Sequence, residues 1–186
     1  MDEHASSLTF ARVFSDHADY VLGLLRRLGV SERDVQDVAQ EVFMVIHAQL
    51  PRFEGRSSLR TWVCGIALRR AADYRRKAHR RRESPLQPGD LPSSAALAES
   101  AIEQRQSLAS VERALAQLPE KQLQVFVLYE LEELTMAEVA KAVGCPRFTA
   151  YTRLRSARRA LLAQLVERAL DEGDAPVASL QRWRTR

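Results

Sequence analysis

Apolar side chains recur every three or four residues along almost the whole chain, and no stretch alternates apolar and polar residues as a half-buried strand does. The first such segment covers residues 10–28 and ends near Gly29. A second covers residues 35–46, with Ser31 as its candidate N-cap, and stops before Pro51. The hydrophobic pattern therefore predicts an all-α protein.

A third helix is predicted after the loop 51–56, with Ser57 or Ser58 as its N-cap. Its apolar side is formed by Leu59, Trp62, Val63, Ile66, Ala67 and Tyr74, and its opposite side by Arg69, Asp73, Arg76 and Arg80. Arg70 falls near the apolar side, so its guanidinium has to extend past that side to reach water. Trp62 could stack on a nucleic acid base, but its position favours core packing.

The segment 84–94 contains three of the seven prolines together with glycine and serine, which is typical of a flexible linker. We therefore predict two small helical domains, 8–82 and 105–170, joined by a flexible linker over 83–104 and followed by a C-terminal tail, 171–186. The hydrophobic content of 46% is high enough for a core in each domain.

The second domain contains LTMAEVAKAVGCPRFTAYTRLRSARR, residues 134–159, which predicts two helices separated by a three-residue turn. Thr135 and Glu138 have the spacing of a capping box. Gly144 can adopt a left-handed turn conformation, and Pro146 suits the first position of the next helix. Ala150 is small enough for the two helices to cross closely. This is the pattern of a helix-turn-helix, and the exposed side of its second helix is expected to be entirely basic.

Charge is distributed in blocks, although the net charge is only +4. Residues 52–82 carry eleven Lys/Arg against two acids, and residues 141–159 carry six Lys/Arg and no acid. Residues 1–51 and 83–140 are acidic instead. Two basic blocks indicate two contacts with nucleic acid, with a merely solvated helix face as the alternative for each.

Metal, membrane and enzymatic functions find little support in the sequence. Cys64 and Cys145 have no CxxC spacing and the four histidines are scattered, so we expect two small buried thiols and no metal, cofactor or disulfide. No signal peptide or membrane-length apolar run is found, so a cytoplasmic location is expected. No nucleophile–base constellation or phosphate-binding glycine loop indicates an enzyme or a small-molecule substrate.

Two segments resemble RNA polymerase sigma factors of the extracytoplasmic-function (ECF) group of the sigma-70 family. They are DVAQEVFMVIHAQLPRFEGRSSLRTWVCGIALRRAADYRRK, residues 37–77, and LAQLPEKQLQVFVLYELEELTMAEVAKAVGCPRFTAYTRLRSARRALL, residues 115–162. With the linker they cover nearly the whole chain. The resemblance implies a first domain that binds core polymerase and the promoter −10 element, and a second domain that reads the −35 element.

The resemblance also implies the protein partners. The helix over 34–49 corresponds to the surface that binds the clamp helices of the largest polymerase subunit, and the matching positions are Asp37, Gln40, Glu41 and Phe43. The flap of the second subunit is the expected partner of the second domain. An anti-sigma factor, in this family often membrane-bound, is expected to hold the protein inactive.

The third helix and the loop before it correspond to the part that captures and melts the −10 element. An unstacked base needs a pocket there, and its strand needs phosphate contacts. The candidates are Arg56, Ser57, Ser58, Arg60, Arg69, Arg70, Asp73, Arg76 and Arg80. Family members often have an Asn where this helix has Arg69 and Arg70, so no consensus base is carried over to that position.

The second helix of the helix-turn-helix corresponds to the one that reads the −35 element in the major groove. The candidates are Arg147, Phe148, Thr149, Tyr151, Thr152, Arg155, Ser156, Arg158 and Arg159, of which the last two are expected to divide between phosphates and solvent. Relatives commonly carry Val-Arg where this chain has Ala150-Tyr151, so an unusual −35 preference is expected. The alternative function is a stand-alone helix-turn-helix regulator, which explains residues 134–159 but leaves the first domain unexplained.

Overall fold

A computed structural model describes residues 8–83 and 114–172, with side chains described for 8–79 and 114–167. The predicted linker lies outside these residues apart from its first residue, as do the first part of the second domain and residues 173–186 of the tail. The predicted domain boundaries remain predictions.

The first half consists of three helices: α1 (Phe10–Arg27), α2 (Val35–Gln49) and α3 (Leu59–Glu83), with a 3-10 turn at Leu50–Arg52. The second half begins with a helical turn at 114–117. It continues with α4 (Glu120–Phe126), a π-helical segment (Val127–Leu131), α5 (Met136–Val143) and α6 (Arg147–Glu172). The described ranges contain no strand, which confirms the predicted all-α fold of two helical domains.

Each half buries the apolar faces of its own helices. The centre of the first half is formed by fully buried side chains of three helices: Val21, Leu24, Leu25, Val35, Val42, Ile46, Val63 and Ala67. The centre of the second half is formed by Leu123, Val125, Val127, Leu128, Val139, Ala150 and Ala157. Full burial of one such aliphatic side chain contributes about 1.5–3 kcal/mol, so these faces determine how the helices pack.

Three helices end with a residue in the left-handed conformation: Gly29 (φ 85°) after α1, Glu133 (φ 55°) after the π-helical segment, and Gly144 (φ 70°) after α5. After α1 and α5, the amide of the residue that follows the glycine donates to the carbonyl five residues earlier. After the wider π-helical segment, the Leu134 amide donates to the Leu128 carbonyl, six residues earlier. A single left-handed residue therefore ends each of these segments and turns the chain toward the next helix.

Two local predictions were wrong. Ser31 does not cap α2, because that helix starts at Val35 after Asp34, and the Ser31 hydroxyl instead donates to the Asp34 carboxylate at 2.9 Å. Pro146 lies one position before α6 rather than at its first residue, with its carbonyl accepting from the Ala150 amide at 3.0 Å.

The two halves pack against each other through α3 and α5. Gly65 of α3 lies at this contact: a Cβ atom built on it would lie 3.5 Å from the carbonyl oxygen of Ala142, an ordinary van der Waals distance. The described helices include none that is long and apolar enough to cross a bilayer. The described side chains also form no cluster of three His, Cys, Asp or Glu residues able to hold a metal ion.

Candidate nucleic-acid interface

The helix-turn-helix is fixed by hydrogen bonds within its own sequence. The Thr135 amide donates to Glu138 Oε2 at 3.0 Å and the Glu138 amide donates to the Thr135 hydroxyl at 3.4 Å, which completes the predicted capping box. The Thr135 hydroxyl also donates to the carboxylate and, as the main cause, lowers the pKa of Glu138. At the other end of α5, Gly144 makes the turn and the Cys145 amide donates to the Ala140 carbonyl at 3.0 Å.

Helix α6 packs through one stripe and exposes another. The buried stripe consists of Ala150, Leu154, Ala157 and Leu161, at 0–7% exposure. On the far side lie Phe148, Tyr151, Thr152 and Arg155, all exposed and spaced i, i+3, i+4, i+7, so that they face the same way. We call these four residues the reading stripe.

The reading stripe is not entirely basic as predicted. Phe148 is 82% exposed and Tyr151 56% exposed, and Arg155 is the only cation among the four residues. The prediction was wrong because it counted the Lys/Arg residues of the segment without placing them around the helix. The Thr152 hydroxyl donates to the Phe148 carbonyl at 3.0 Å, so its proton is used within α6.

The remaining −35 candidates surround the reading stripe. Arg147 and Arg159 are exposed, whereas Thr149 and Ser156 are only half-buried next to the stripe. Arg158 is held within the second half: its Nε donates to Glu130 at 2.6 Å, and its guanidinium lies 5.8 Å from the Tyr129 ring centre. Its charge is therefore partly compensated before any DNA arrives.

The −10 candidates on α3 form one charged patch, in which Asp73 pairs with two arginines. Arg70 lies 3.7 Å from Asp73, and Arg76 also forms an ion pair with it. Arg69 is exposed, and Arg70 reaches solvent as the sequence requires. The side chain of Arg80 lies outside the described part of the chain.

The loop before α3 places the other −10 candidates. Ser58 caps α3, since its hydroxyl accepts from the Thr61 amide at 3.1 Å, whereas Ser57 makes no such bond. Arg56 is paired with Glu54 at 2.9 Å and remains 81% exposed. Trp62 is half-buried with its ring centre 5.0 Å from that of Phe53, which agrees with the predicted packing role.

Helix α2 presents the predicted polymerase-binding residues beside an apolar groove. Asp37, Gln40 and Glu41 are exposed, but Phe43 is buried at 6% exposure with its ring 4.7 Å from Phe14. The groove has a volume of about 690 Å³ and runs between α1 and α2. Its lining includes Phe10, Phe14, Gln40, Phe43, Met44 and His47, of which Met44 is 65% exposed.

A buried carboxylate joins the second half to the −10 candidates. Glu132 is only 4% exposed, accepts from Arg27 at 2.8 Å, and lies 3.3 Å from the Arg60 guanidinium. Arg60 also donates to the Glu132 carbonyl at 3.2 Å and lies over the Tyr20 ring at 4.8 Å. Both bonds to Glu132 use Nη2 of Arg60, so this nitrogen is occupied by the second half and a phosphate would have to compete for it.

Further contacts follow the same boundary. The Thr61 hydroxyl donates to Glu138 at 3.4 Å, and Lys141 donates to the Arg56 carbonyl. The guanidinium of Arg75 donates to the carbonyls of Ala116 and Leu118 at 3.2 and 3.4 Å, and burial lowers its pKa. We call this packing of the second half on the −10 candidates the closed arrangement.

Sequence reasoning missed Glu132 and Arg27, and it counted Arg75 in the basic block expected to contact nucleic acid, whereas Arg75 bonds to the second half. Glu132 belongs to the run ELEEL, which reads as a solvated acidic turn, and its two arginine partners are 105 and 72 residues away. No local pattern signals a contact over that separation. Cys145 was also misjudged, because it is half-buried in the turn rather than buried in the core.

Comparison with known proteins agrees with this two-part architecture. Residues 13–81 match sigma-70 region 2, and residues 108–161 match sigma-70 region 4. The chain is 30% identical to the ECF RNA polymerase sigma factor RpoE of Cereibacter sphaeroides, over 83% of this chain and 85% of the relative. It is 31% identical to the ECF RNA polymerase sigma-E factor of Escherichia coli, over 71% of this chain and 74% of the relative.

Solved structures share the fold. CnrH, in complex with the cytosolic domain of CnrY, superimposes with a TM-score of 0.63 at 24% identity over 85% of this chain and 88% of that one. The sigma factor RpoE of Bartonella quintana, in complex with the anti-sigma factor NepR, superimposes with a TM-score of 0.64. The identity is 20% over 84% of this chain and 96% of that one. The two helical halves and the two matched regions define a transcription initiation factor. The chain belongs to the sigma-70 family, in its ECF group.

Proposed function

We propose that the chain is an alternative sigma factor that binds core RNA polymerase through α2 and directs it to promoters by reading a −10 and a −35 element. The observation that carries the proposal is the presence of two separate cation-bearing surfaces, on α3 and on α6, beside a helix with exposed polar groups and an apolar groove. Two DNA contacts and one protein contact are what promoter selection by a polymerase subunit requires. RNA synthesis itself is left to the polymerase, and a cytoplasmic location follows from that role.

On α2, Gln40 and Glu41 are suited to pair with polar and basic side chains of a facing helix, and the groove can take its apolar ones. Phe43 packs beneath the exposed residues of α2, because its side chain is buried against Phe14. Its truncation would disturb the fold as well as the surface. The exposed residues Gln40, Glu41 and Met44 are therefore the better tests of polymerase binding.

On α3, we propose that Arg69, Arg70 and Arg76 bind −10 phosphates, with Asp73 fixing two of them before DNA binds. Arg56, Ser57 and Ser58 border the pocket for an unstacked base, and Arg60 completes it. Because Arg60 Nη2 is bound to Glu132, opening of the closed arrangement would free the whole guanidinium for this function. We propose that core polymerase and promoter DNA stabilise the open form.

An anti-sigma factor is proposed as the regulator, since a relative of the same fold is known in complex with one. The groove between α1 and α2 is exposed and apolar enough to be covered by such a partner. Occupation of that groove would exclude core polymerase directly.

The test is reconstitution of the full chain with core polymerase, followed by binding and abortive transcription on a genomic promoter library. We expect Gln40→Ala and Glu41→Ala each to weaken core binding several-fold, at about 1 kcal/mol per lost interfacial hydrogen bond. Asp19→Ala is the matched control, because Asp19 is an exposed acid of α1 that does not line the groove. DNA binding without any core binding or transcript initiation would favour the stand-alone regulator instead.

A further inference from the structure

Two of the four residues of the reading stripe are aromatic, although the segment around it is basic. Of the reading stripe, Phe148 and Tyr151 are aromatic and highly exposed, and both lack aromatic neighbours among the described residues. Thr152 uses its hydroxyl proton on the Phe148 carbonyl, so that proton is not available to a base. Only Arg155 offers charged donors.

The aromatic residues of the reading stripe can distinguish base pairs by contacting an apolar group. In the major groove the donors and acceptors of all four base pairs are polar, and the 5-methyl group of thymine is the apolar feature that distinguishes one base. Aromatic and methyl-bearing side chains therefore gain most against thymines, whereas a guanidinium gains most against guanine. The composition of the reading stripe thus specifies the bases that it can recognise.

We propose that Phe148 and Tyr151 determine −35 specificity by contacting thymine methyl groups, next to a guanine bound by Arg155. The stripe extends seven residues along α6, or about 10 Å at 1.5 Å per residue. This is the length of about three base pairs at 3.4 Å each, so the thymines and the guanine lie in neighbouring pairs. The inference rests on the proposed function and specifies which bases of the −35 element are recognised.

The surroundings favour DNA over a protein as the occupant of this stripe. Arg147 precedes it and Arg159 follows it, both exposed, so cations flank the aromatic pair along the helix. A surface with apolar groups at the centre and cations at both ends complements a groove bordered by phosphates.

The test removes single methyl groups from DNA. The holoenzyme, formed from the full chain and core polymerase, first selects −35 elements from promoters randomised at that element. Each thymine of the selected element is then replaced by deoxyuridine, which lacks only the methyl group. We expect one or two replacements to weaken holoenzyme binding about fourfold each, the effect of burying one methyl group.

Phe148→Ala and Tyr151→Ala should each abolish the difference between thymine and uracil at one position and keep it at the other. Leu162→Ala is the matched control, because Leu162 is an exposed apolar residue of the same helix, about 20 Å further along. That variant should retain both differences. Circular dichroism of each variant checks that the exposed substitutions leave the helices intact.

Three results would overturn the proposal. The first is a selected element in which no deoxyuridine replacement changes binding by more than twofold. The second is a uniform loss of DNA affinity in Phe148→Ala, which would make Phe148 a backbone contact. The third is reduced core binding in Phe148→Ala with thymine–uracil discrimination unchanged, which would make it a protein contact. In all three cases promoter-directed transcription by the wild-type chain survives, so the failure is separate from that of the proposed function.

Discussion

At the residue scale, the two thiols of the chain lie in different surroundings. Cys64 is fully buried on α3 with its Sγ 2.8 Å from the Tyr20 hydroxyl, and burial is the main cause that raises its pKa to about 11. The thiolate is the reactive form, and burial disfavours it at Cys64. We therefore expect Cys145 to react with a disulfide reagent at pH 8 about tenfold faster than Cys64. Mass spectrometry of the labelled peptides measures both rates.

The control is the same reaction in denaturant, where burial is lost and the two rates should converge. Cys64→Ser identifies the remaining signal as that of Cys145. If the two thiols of the folded chain reacted equally fast, the first half would have to open at α3 far more readily than its buried core implies.

Residues whose partners are close in sequence were predictable one by one. Thr135 and Glu138 satisfy amides three residues away, so spacing alone identifies their roles. The N-cap of α3 was narrowed to Ser57 or Ser58, and the structure shows that it is Ser58. Exposure was harder to predict, since the exposed side of α6 was expected to be entirely basic and instead carries Phe148 and Tyr151. Glu132 could not be found, because its partners come from the other half of the chain.

At the element scale, the order of α1, α2, α3, α5 and α6 followed from apolar spacing. The helix ends were predictable where glycine marks them, as at Gly29 and Gly144. The end at Glu133 was not, because a glutamate with φ 55° and a preceding π-helical turn leave no sequence signal. There the packing of Leu128 and Leu134 maintains a conformation that the residue itself disfavours.

Gly144 offers a test of the turn between α5 and α6. Its φ of 70° is left-handed, and a Cβ atom there would meet nothing within 4 Å. Gly144→Ala should therefore lower the free energy of unfolding by about 1–2 kcal/mol through backbone strain alone. Gly144→Asn is the matched control, and we expect a smaller loss because asparagine tolerates this conformation. Urea denaturation measures both, and a neutral alanine variant would show that the turn relaxes.

At the scale of the whole molecule, the sequence predicted two domains but not their mutual arrangement. The two halves meet at Gly65 of α3, which lies against Ala142 of α5. They are also joined by the ion pairs of Glu132, whose partners are far away in the chain. Neither feature has a periodicity that could be recognised. The −35 surface on α6 stays exposed in this arrangement, whereas Arg60 of the −10 surface is engaged. We therefore expect opening to strengthen the −10 contact and to leave the −35 contact unchanged.

Glu132→Gln tests that asymmetry. The amide keeps the shape of the side chain but removes the charge that Arg27 and Arg60 bind, and both arginines are about half exposed, so they can turn to water. Hydrogen bonds to a charged group contribute about 1.5–3 kcal/mol, and 1.4 kcal/mol corresponds to about a tenfold change in an equilibrium. We therefore expect the ratio of open to closed molecules to rise about tenfold or more. Small-angle X-ray scattering would show this as a larger radius of gyration.

The same variant should bind −10 single-stranded DNA more tightly and leave −35 duplex binding unchanged, because only the first surface is released. Glu130→Gln is the matched control: Glu130 lies two residues away and pairs with Arg158 inside the second half. It should change neither the radius of gyration nor −10 binding. If both variants expanded the molecule alike, the general acidity of the segment would control its packing. If neither did, the Glu132 ion pairs would not determine the closed arrangement.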